Sequence, residues 1–234
     1  MFPATDLAPD WHARVSGYLQ REDVGCVGGS VIHLWGSDTT AQWFDGGSPI
    51  AWRGLLGGFH SHLGDLPMEH RMGDVPFLAP PGLATRTCIA RRAVAIGIEP
   101  SGSDYGIAAS FLARGAGLRI LYDSRIRAAS HHPPAVPGRD SDPDGLDWYA
   151  AGRTRVLTLA LNPSPVRRTI DMTFSIAVGS RESLGVILGA ACLKRHERRL
   201  RWTRTVSGKL AGAAEVVAAG SALRTAPAHG TRSP

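Results

Sequence analysis

Residues 103–122 read SDYGIAASFLARGAGLRILY and carry the clearest succession of secondary-structure signals in the chain. Ile107–Arg114 is dominated by small and apolar residues, which favours a helix. Gly115 and Gly117 follow directly and are the kind of residue that ends a helix. The apolar run Leu118–Tyr122 then predicts a buried strand. This stretch therefore predicts one helix-to-strand step of an α/β fold.

Two further elements are predicted nearer the amino terminus. Trp11, Val15, Tyr18 and Leu19 recur at helical spacing, which predicts a short amphipathic helix over residues 10–20. The β-branched and glycine-rich segment Val24–Ile32 predicts a buried strand where another backbone or a ligand comes close. Gly28 and Gly29 are therefore candidate substrate-binding residues.

The rest of the chain is irregular in its first half and more apolar in its second. Residues 35–81 are rich in Gly, His, Asp and Pro, which predicts long loops with short strands. Residues 148–161 and 170–193 are apolar enough for helices, and residues 225–234 lack a core-forming pattern and predict a frayed end.

Composition indicates a folded protein with an anionic partner. Hydrophobic residues make up 43% of the chain and charged residues 20%, as in ordinary globular proteins. The formal net charge of +6 favours an anion such as a nucleotide sugar, a lipid phosphate, an anionic membrane or nucleic acid. No nucleic-acid recognition motif accompanies the charge, so no nucleic-acid partner is predicted.

The cysteines and the first residues predict a cytoplasmic protein. Cys26, Cys88 and Cys192 are odd in number and widely spaced, which favours reduced thiols over disulfides or a zinc site. The first fifteen residues have neither a basic start nor a continuous apolar stretch, so no secretory signal or membrane anchor is expected there.

Several segments of the chain occur in an order seen in one enzyme family. They are Asp6–Trp11, Asp23–Gly29, Thr87–Val94, Ser103–Tyr105, Phe111–Tyr122 and His131. In this order the chain resembles the carboxy-terminal, acceptor-side half of a family 2 glycosyltransferase of the GT-A type, and is similar to its rhamnosyltransferase-like members. The resemblance covers roughly residues 4–160, and in it Thr87–Val94 corresponds to an arginine-containing strand.

The resemblance implies a fold and two domains. The expected fold is α/β, a GT-A-like partial doubly wound sheet followed by a helical basic tail. Residues 1–160 would form the glycosyltransferase-like domain, with the nucleotide-binding half largely absent, and residues 161–234 the tail.

The resemblance also implies site residues. Asp104 corresponds to the catalytic base, which an inverting transfer needs to remove the proton of the acceptor hydroxyl. A helix amino terminus at this point would keep the carboxylate ionised and fixed in direction. Asp6 and His131 correspond to ligands of Mg²⁺ or Mn²⁺. Trp148 and Arg153 correspond to a segment that contacts the acceptor, where an aromatic face stacks on sugar and a guanidinium pairs with phosphate.

The function implied is transfer of a sugar, with inversion, from a nucleotide-diphospho-sugar to a lipid-linked or saccharide acceptor, as in cell wall polysaccharide biosynthesis. Three positions depart from the family pattern, because Ser103, Gly106 and Ser110 stand where charged residues are usual. The sequence also begins almost at the metal motif. A non-catalytic remnant or partner subunit that retains the acceptor half is therefore the alternative.

Other interpretations of single motifs stay open. Asp104 is also a suitable N-cap residue for the helix that follows it. His60 and His62, with Asp65, Glu69 and His70 nearby, form a pattern that can bind zinc in a metal-dependent hydrolase. No P-loop, dinucleotide-binding or nucleophile-elbow motif is present in the sequence.

The basic tail predicts a membrane partner. The apolar segment Ser183–Leu193 has eleven residues, too few to cross a bilayer, which takes about 20. It adjoins six Lys or Arg residues within Lys194–Arg204, and Trp202 suits the interfacial layer. The tail is therefore predicted to attach the protein peripherally to the inner face of a membrane.

Overall fold

The structure, a computed structural model, describes residues 5–33, 42–45, 62–63, 72–75, 77–78, 82–100, 104–130, 146–179, 185–191 and 196–220. These residues divide into two compact units, one holding those up to residue 130 and the other those from residue 146 onward. The first is a mixed α/β unit, which confirms the α/β class, and the second is helical.

The α/β unit contains seven described strands and three helices. The strands are β1 (Thr5–Leu7), β2 (Val24–His33), β3 (Gln42–Asp45), β4 (His62–Leu63), β5 (Met72–Asp74), β6 (Ala84–Thr85) and β7 (Arg119–Ser130). The helices are α1 (Trp11–Leu19), α2 (Thr87–Ala95) and α3 (Tyr105–Gly115). The predicted helix at residues 10–20, the strand at 24–32 and the helix-to-strand step after residue 104 are confirmed.

The strands form one mixed sheet. Its order is β1-β7-β2-β3-β4, with β5 also pairing with β7 and β6 with β2. Strands β2 and β7 run parallel, and the other described pairs are antiparallel. A parallel pair requires a crossover connection, and α3 is the helix that leads directly into β7.

Helices cover both faces of this sheet. Val15 of α1 packs with Val24, Val27, Leu121 and Ile126 in one buried cluster. Other residues of β2 face α2 and α3: a side chain at Gly25 would meet Ala113, Leu118 and Ile89, and the Cys26 thiol donates to the Ala109 carbonyl oxygen at 3.5 Å. Residues 24–30 are all buried, so this part of β2 is covered on both sides.

One segment differs from the expectation that the resemblance gave. Thr87–Val94 was matched to an arginine-containing strand, but it lies within helix α2, and the strand is confined to Ala84–Thr85. The expectation of a strand there is wrong. The helix buries Ile89 and Ala93, which are four residues apart and therefore lie on one face.

The helical unit consists of α4 (Leu146–Ala160), α5 (Pro165–Ala177), α6 (Val186–Ala191) and α7 (His196–Ala219). Helices α4 and α7 approach closely, because a side chain at Gly152 would overlap the Thr205 carbonyl oxygen and one at Gly208 the Tyr149 carbonyl oxygen. Since α4 packs on α7, it belongs to the helical unit, whereas the predicted domain boundary at residue 160 placed it with the α/β domain.

The apolar stretch at residues 170–193 is interrupted. Helix α5 ends at Ala177, and Gly179 has a φ of 74°, a left-handed conformation that glycine adopts readily. Within the residues that the structure describes, no helix is both long and apolar enough to cross a membrane.

Candidate functional site

Asp104 stands at the amino end of α3 and is almost fully buried, with 4% of its surface exposed. Its backbone carbonyl accepts the hydrogen bond of Ala108 N at 2.9 Å and so opens the helix. Its side chain makes no capping hydrogen bond to the helix. N-capping therefore does not explain this carboxylate.

The neighbouring contacts fix where Asp104 lies along the sheet. Helix α3 runs antiparallel to β2, because Ala113 lies beside Gly25 while Ala109 lies beside Cys26. Asp104 precedes Ala109 by five residues, or about 7.5 Å of helix. That is roughly two strand residues beyond Cys26, the level of Gly28. Gly28 is the fifth of the ten residues of β2, so Asp104 lies beside the middle of this strand, where β2 pairs in parallel with β7.

Polar side chains lie at this same level of the sheet. The hydroxyls of Ser30 and Tyr122 share a buried hydrogen bond of 3.0 Å. Tyr122 pairs with Gly28 across the parallel ladder. Sequence reasoning did not select Ser30 or Tyr122, because only the pairing of β2 with β7 brings them together.

The structure gives Gly28 and Gly29 a packing role. A Cβ atom at Gly28 would lie 3.0 Å from Leu78 Cδ2. One at Gly29 would overlap the Ile126 carbonyl oxygen and lie 2.5 Å from that of Asp123. The close approach predicted from the glycines is therefore an approach of the chain to itself, between β2 and an irregular part of β7.

That irregular part of β7 is held by a buried carboxylate. Between its pairings with Gly28 and Ser30, β7 advances from Tyr122 to Arg127. Asp123, 2% exposed, accepts from Tyr18 Oη at 2.8 Å and from Arg125 Nε and Nη2 at 2.9 Å each. Burial alone would raise the pKa of Asp123, but hydrogen bonds from Arg125 and Tyr18 outweigh it and lower the pKa. The cluster stabilises the bulge, and no sequence motif pointed to it.

The predicted metal ligands are only partly described. Asp6 is exposed on β1, where its backbone pairs with Ala129 of β7, two residues before His131. His131 itself lies outside the described residues. Among those described, no group of three or more His, Cys, Asp or Glu side chains could hold a metal ion. Of the alternative zinc pattern, only His62 is described, as part of β4.

Trp148 and Arg153 both belong to α4 in the helical unit, and both contact α7. The Arg201 guanidinium lies over the Trp148 ring, with Cζ 3.7 Å from the ring centroid. Arg153 donates from Nε and Nη2 to the two carboxylate oxygens of Glu215, each at 2.6 Å. This bidentate pairing raises the pKa of Arg153 and lowers that of Glu215. Both side chains have structural partners within their own unit.

The helical unit also buries a lysine that sequence reasoning missed. Lys209 has no exposed surface, and its Nζ donates to the Ser175 carbonyl oxygen in the last turn of α5 at 2.7 Å. Carbonyls at a helix end lack intrahelical partners, so this amine caps α5. Burial lowers the pKa of Lys209 to about 7, and the charge of Arg155 acts in the same direction.

The described residues thus define a mixed α/β unit that presents a buried acidic residue at a helix amino terminus, together with a helical unit. Comparison of the chain with protein-family models, with curated proteins and with solved structures finds no match.

Proposed function

We propose that the protein is an inverting glycosyltransferase, or the acceptor-side portion of one. It would transfer a sugar from a nucleotide-diphospho-sugar to a lipid-linked or saccharide acceptor. The observation that carries this proposal is Asp104, a buried carboxylate at the amino end of α3 that makes no capping hydrogen bond to the helix. The order of segments that resembles family 2 enzymes supports the same function, and we propose with it a GT-A-like partial doubly wound sheet.

In the proposed reaction Asp104 is the general base. Its carboxylate accepts the proton of an acceptor hydroxyl while that oxygen forms a bond to the anomeric carbon. The bond from the anomeric carbon to the donor phosphate breaks on the opposite side, and the nucleoside diphosphate leaves with the electron pair. The positive end of the α3 dipole favours negative charge at this point. Burial limits the orientations of the carboxylate.

The metal remains an expectation from the resemblance. Mg²⁺ or Mn²⁺, when bound, would neutralise the donor diphosphate, with Asp6 and His131 as its ligands. Asp6 offers one exposed carboxylate, but the described residues alone do not make up an ion site. The proposed proton transfer involves only Asp104.

Replacing the base tests the mechanism. Asp104→Asn is expected to lower the rate of sugar transfer about a hundredfold or more, because the amide cannot accept the proton. Transfer would be measured from UDP-, GDP- and dTDP-linked hexoses with Mn²⁺, using the purified chain. Asp74→Asn is the control, since Asp74 is an exposed acidic residue of the same unit that pairs with Arg119. Transfer undiminished in Asp104→Asn, with normal activity in the control, would disprove the assignment.

A non-catalytic partner subunit is the second candidate. Gly106 and Ser110 stand where the resembling enzymes carry charged residues, and both are buried. Ser110 Oγ donates to the Gly106 carbonyl oxygen at 2.7 Å and accepts from Leu78 N at 3.3 Å. A folded chain that binds neither UDP, GDP nor dTDP with Mn²⁺ in a calorimetric titration would favour this candidate over the enzyme.

We also propose that the helical unit attaches the protein peripherally to the inner face of a membrane. The basic sequence at residues 194–204 supports this, since each basic residue near an anionic surface contributes about 1 kcal/mol. We expect the protein to sediment with anionic vesicles at low salt and to be released as ionic strength rises. Absence of sedimentation at low salt would contradict the attachment.

A further inference from the structure

The outer face of α7 carries a regular row of exposed side chains. Successive members are three or four residues apart, which places them on one side of the helix. The row consists of Leu200, Thr203, Ser207, Leu210, Ala214 and Val217. Its large apolar members are well exposed, Leu200 at 42%, Leu210 at 53% and Val217 at 82%. We call this row the α7 outer face.

The side chains described on α7, from Arg199 onward, carry a net positive charge. Arg199 and Arg204 are exposed on either side of its first turn. Between Arg199 and Gly220 the sequence contains one acidic residue, Glu215, and its carboxylate is engaged by Arg153. The charge along this part of the helix therefore suits an anionic surface.

Two residues of the basic segment that were predicted to contact a membrane pack against other parts of the helical unit. Arg201 lies over the Trp148 ring. Trp202 Nε1 donates to the Gly185 carbonyl oxygen at 2.9 Å, and a side chain at Gly189 would overlap its indole. Trp202 is therefore packed against α6, and the expectation that it serves as an interfacial anchor is not supported by its contacts.

We propose that the α7 outer face, flanked by Arg199 and Arg204, is the surface that lies on an anionic lipid bilayer. This inference rests on the proposed peripheral attachment and names its residues. The helix would lie parallel to the membrane, with Leu200, Leu210 and Val217 entering the interface. The two guanidinium groups would pair with lipid phosphates.

A bilayer fits this face better than a second copy of the chain. A stable coiled coil requires large apolar residues at both repeating positions of the heptad. Here Thr203, Ser207 and Ala214 separate the three large residues. In a parallel pair the arginines would also face their own copies. A lipid interface imposes neither condition, because it needs no interlocking of side chains.

Charge substitutions on the row test the surface. Leu210→Glu is expected to reduce sedimentation with phosphatidylcholine vesicles containing about 30% phosphatidylglycerol by about tenfold or more, because it puts an anion where an apolar group should insert. Val94→Glu is the matched control, since Val94 of α2 has the same exposure of 53%. Arg199→Glu with Arg204→Glu should give a similar loss, and Arg91→Glu, on the exposed surface of α2, should not.

The possible results distinguish a failure of the α7 outer face as the binding surface from a failure of the proposed membrane attachment. The wild-type chain and the variants Leu210→Glu and Val217→Glu could all bind anionic vesicles equally well. That result would contradict the α7 outer face as the membrane-binding surface, but not the peripheral attachment. Equal binding to pure phosphatidylcholine would overturn the anionic partner. A dimer in sedimentation equilibrium that Leu210→Glu dissociates would assign the face to a second copy instead. Transfer to a soluble acceptor should be unchanged in both variants, which keeps this test independent of Asp104.

Discussion

Gly29→Ala is expected to destabilise the α/β unit by about 3–5 kcal/mol, at the upper end of the effects of single substitutions. The added methyl would overlap the Ile126 carbonyl oxygen and lie 2.5 Å from that of Asp123. Both obstacles are backbone atoms of β7, so no side-chain rotation relieves the overlap. The strand would have to move, which would disturb the hydrogen bonds around Asp123 as well. Denaturant unfolding, monitored by hydrogen exchange of the amides in β2 and β7, measures the loss of unfolding free energy.

Gly17→Ala is the matched control for this substitution. Gly17 lies within α1, and a Cβ atom there would meet nothing within 4 Å. Alanine is a better helix former than glycine, so this variant is expected to gain up to about 1 kcal/mol. If Gly29→Ala were as stable as Gly17→Ala, the close approach of β2 to the bulge of β7 would be wrong.

The stability of the helical unit is expected to rise with pH between about 7 and 10, because of Lys209. Burial lowers the pKa of this amine from 10.5 in the unfolded chain to about 7 in the folded one. Between these values the unfolded state binds more protons, so the free energy of unfolding increases with pH. Below pH 7 both states are protonated and this group adds no slope. The full change, reached once the pH exceeds the unfolded pKa, is up to about 5 kcal/mol.

Lys209→Met should remove this pH dependence. The difference in unfolding free energy between wild type and Lys209→Met would then move in favour of wild type as pH rises through this window. Arg155, whose charge acts on Lys209, and Asp171, four residues before Ser175 on α5, are retained in both proteins, so their contributions cancel to first order. Arg153→Met is the control, because arginine does not titrate in this range.

Hydrogen exchange of α4 and α7 amides at a series of pH values reports on the helical unit separately from the α/β unit. A difference between wild type and Lys209→Met that stays constant from pH 6 to 10 would show that Lys209 does not lose its proton in the folded protein. The Ser175 carbonyl loses its donor in this variant. That loss changes the free energy of unfolding by the same amount at every pH. The slope of the free energy of unfolding against pH is therefore the quantity that reports the titration of Lys209.

Local signals in the sequence predicted the elements that place Asp104. The spacing of apolar residues gave α1, and the glycines after Arg114 marked the end of α3, where Gly117 has a φ of 73°. These features depend on residues close together in the chain, so sequence periodicity reports them directly. The position of Asp104 before α3 was predictable for the same reason. Its role as a base remains a proposal from the resemblance.

Tertiary structure decided which polar residues have partners. Asp123 is held by Tyr18, which is 105 residues away, and Ser30 meets Tyr122 only because β2 and β7 pair in parallel. In the helical unit, Arg153 looked free to bind an acceptor phosphate but pairs with Glu215. Trp202 looked suited to a membrane interface but packs against α6. Such contacts join segments distant in sequence, and no local periodicity encodes them, because they follow from how the elements pack and not from the pattern within any one of them.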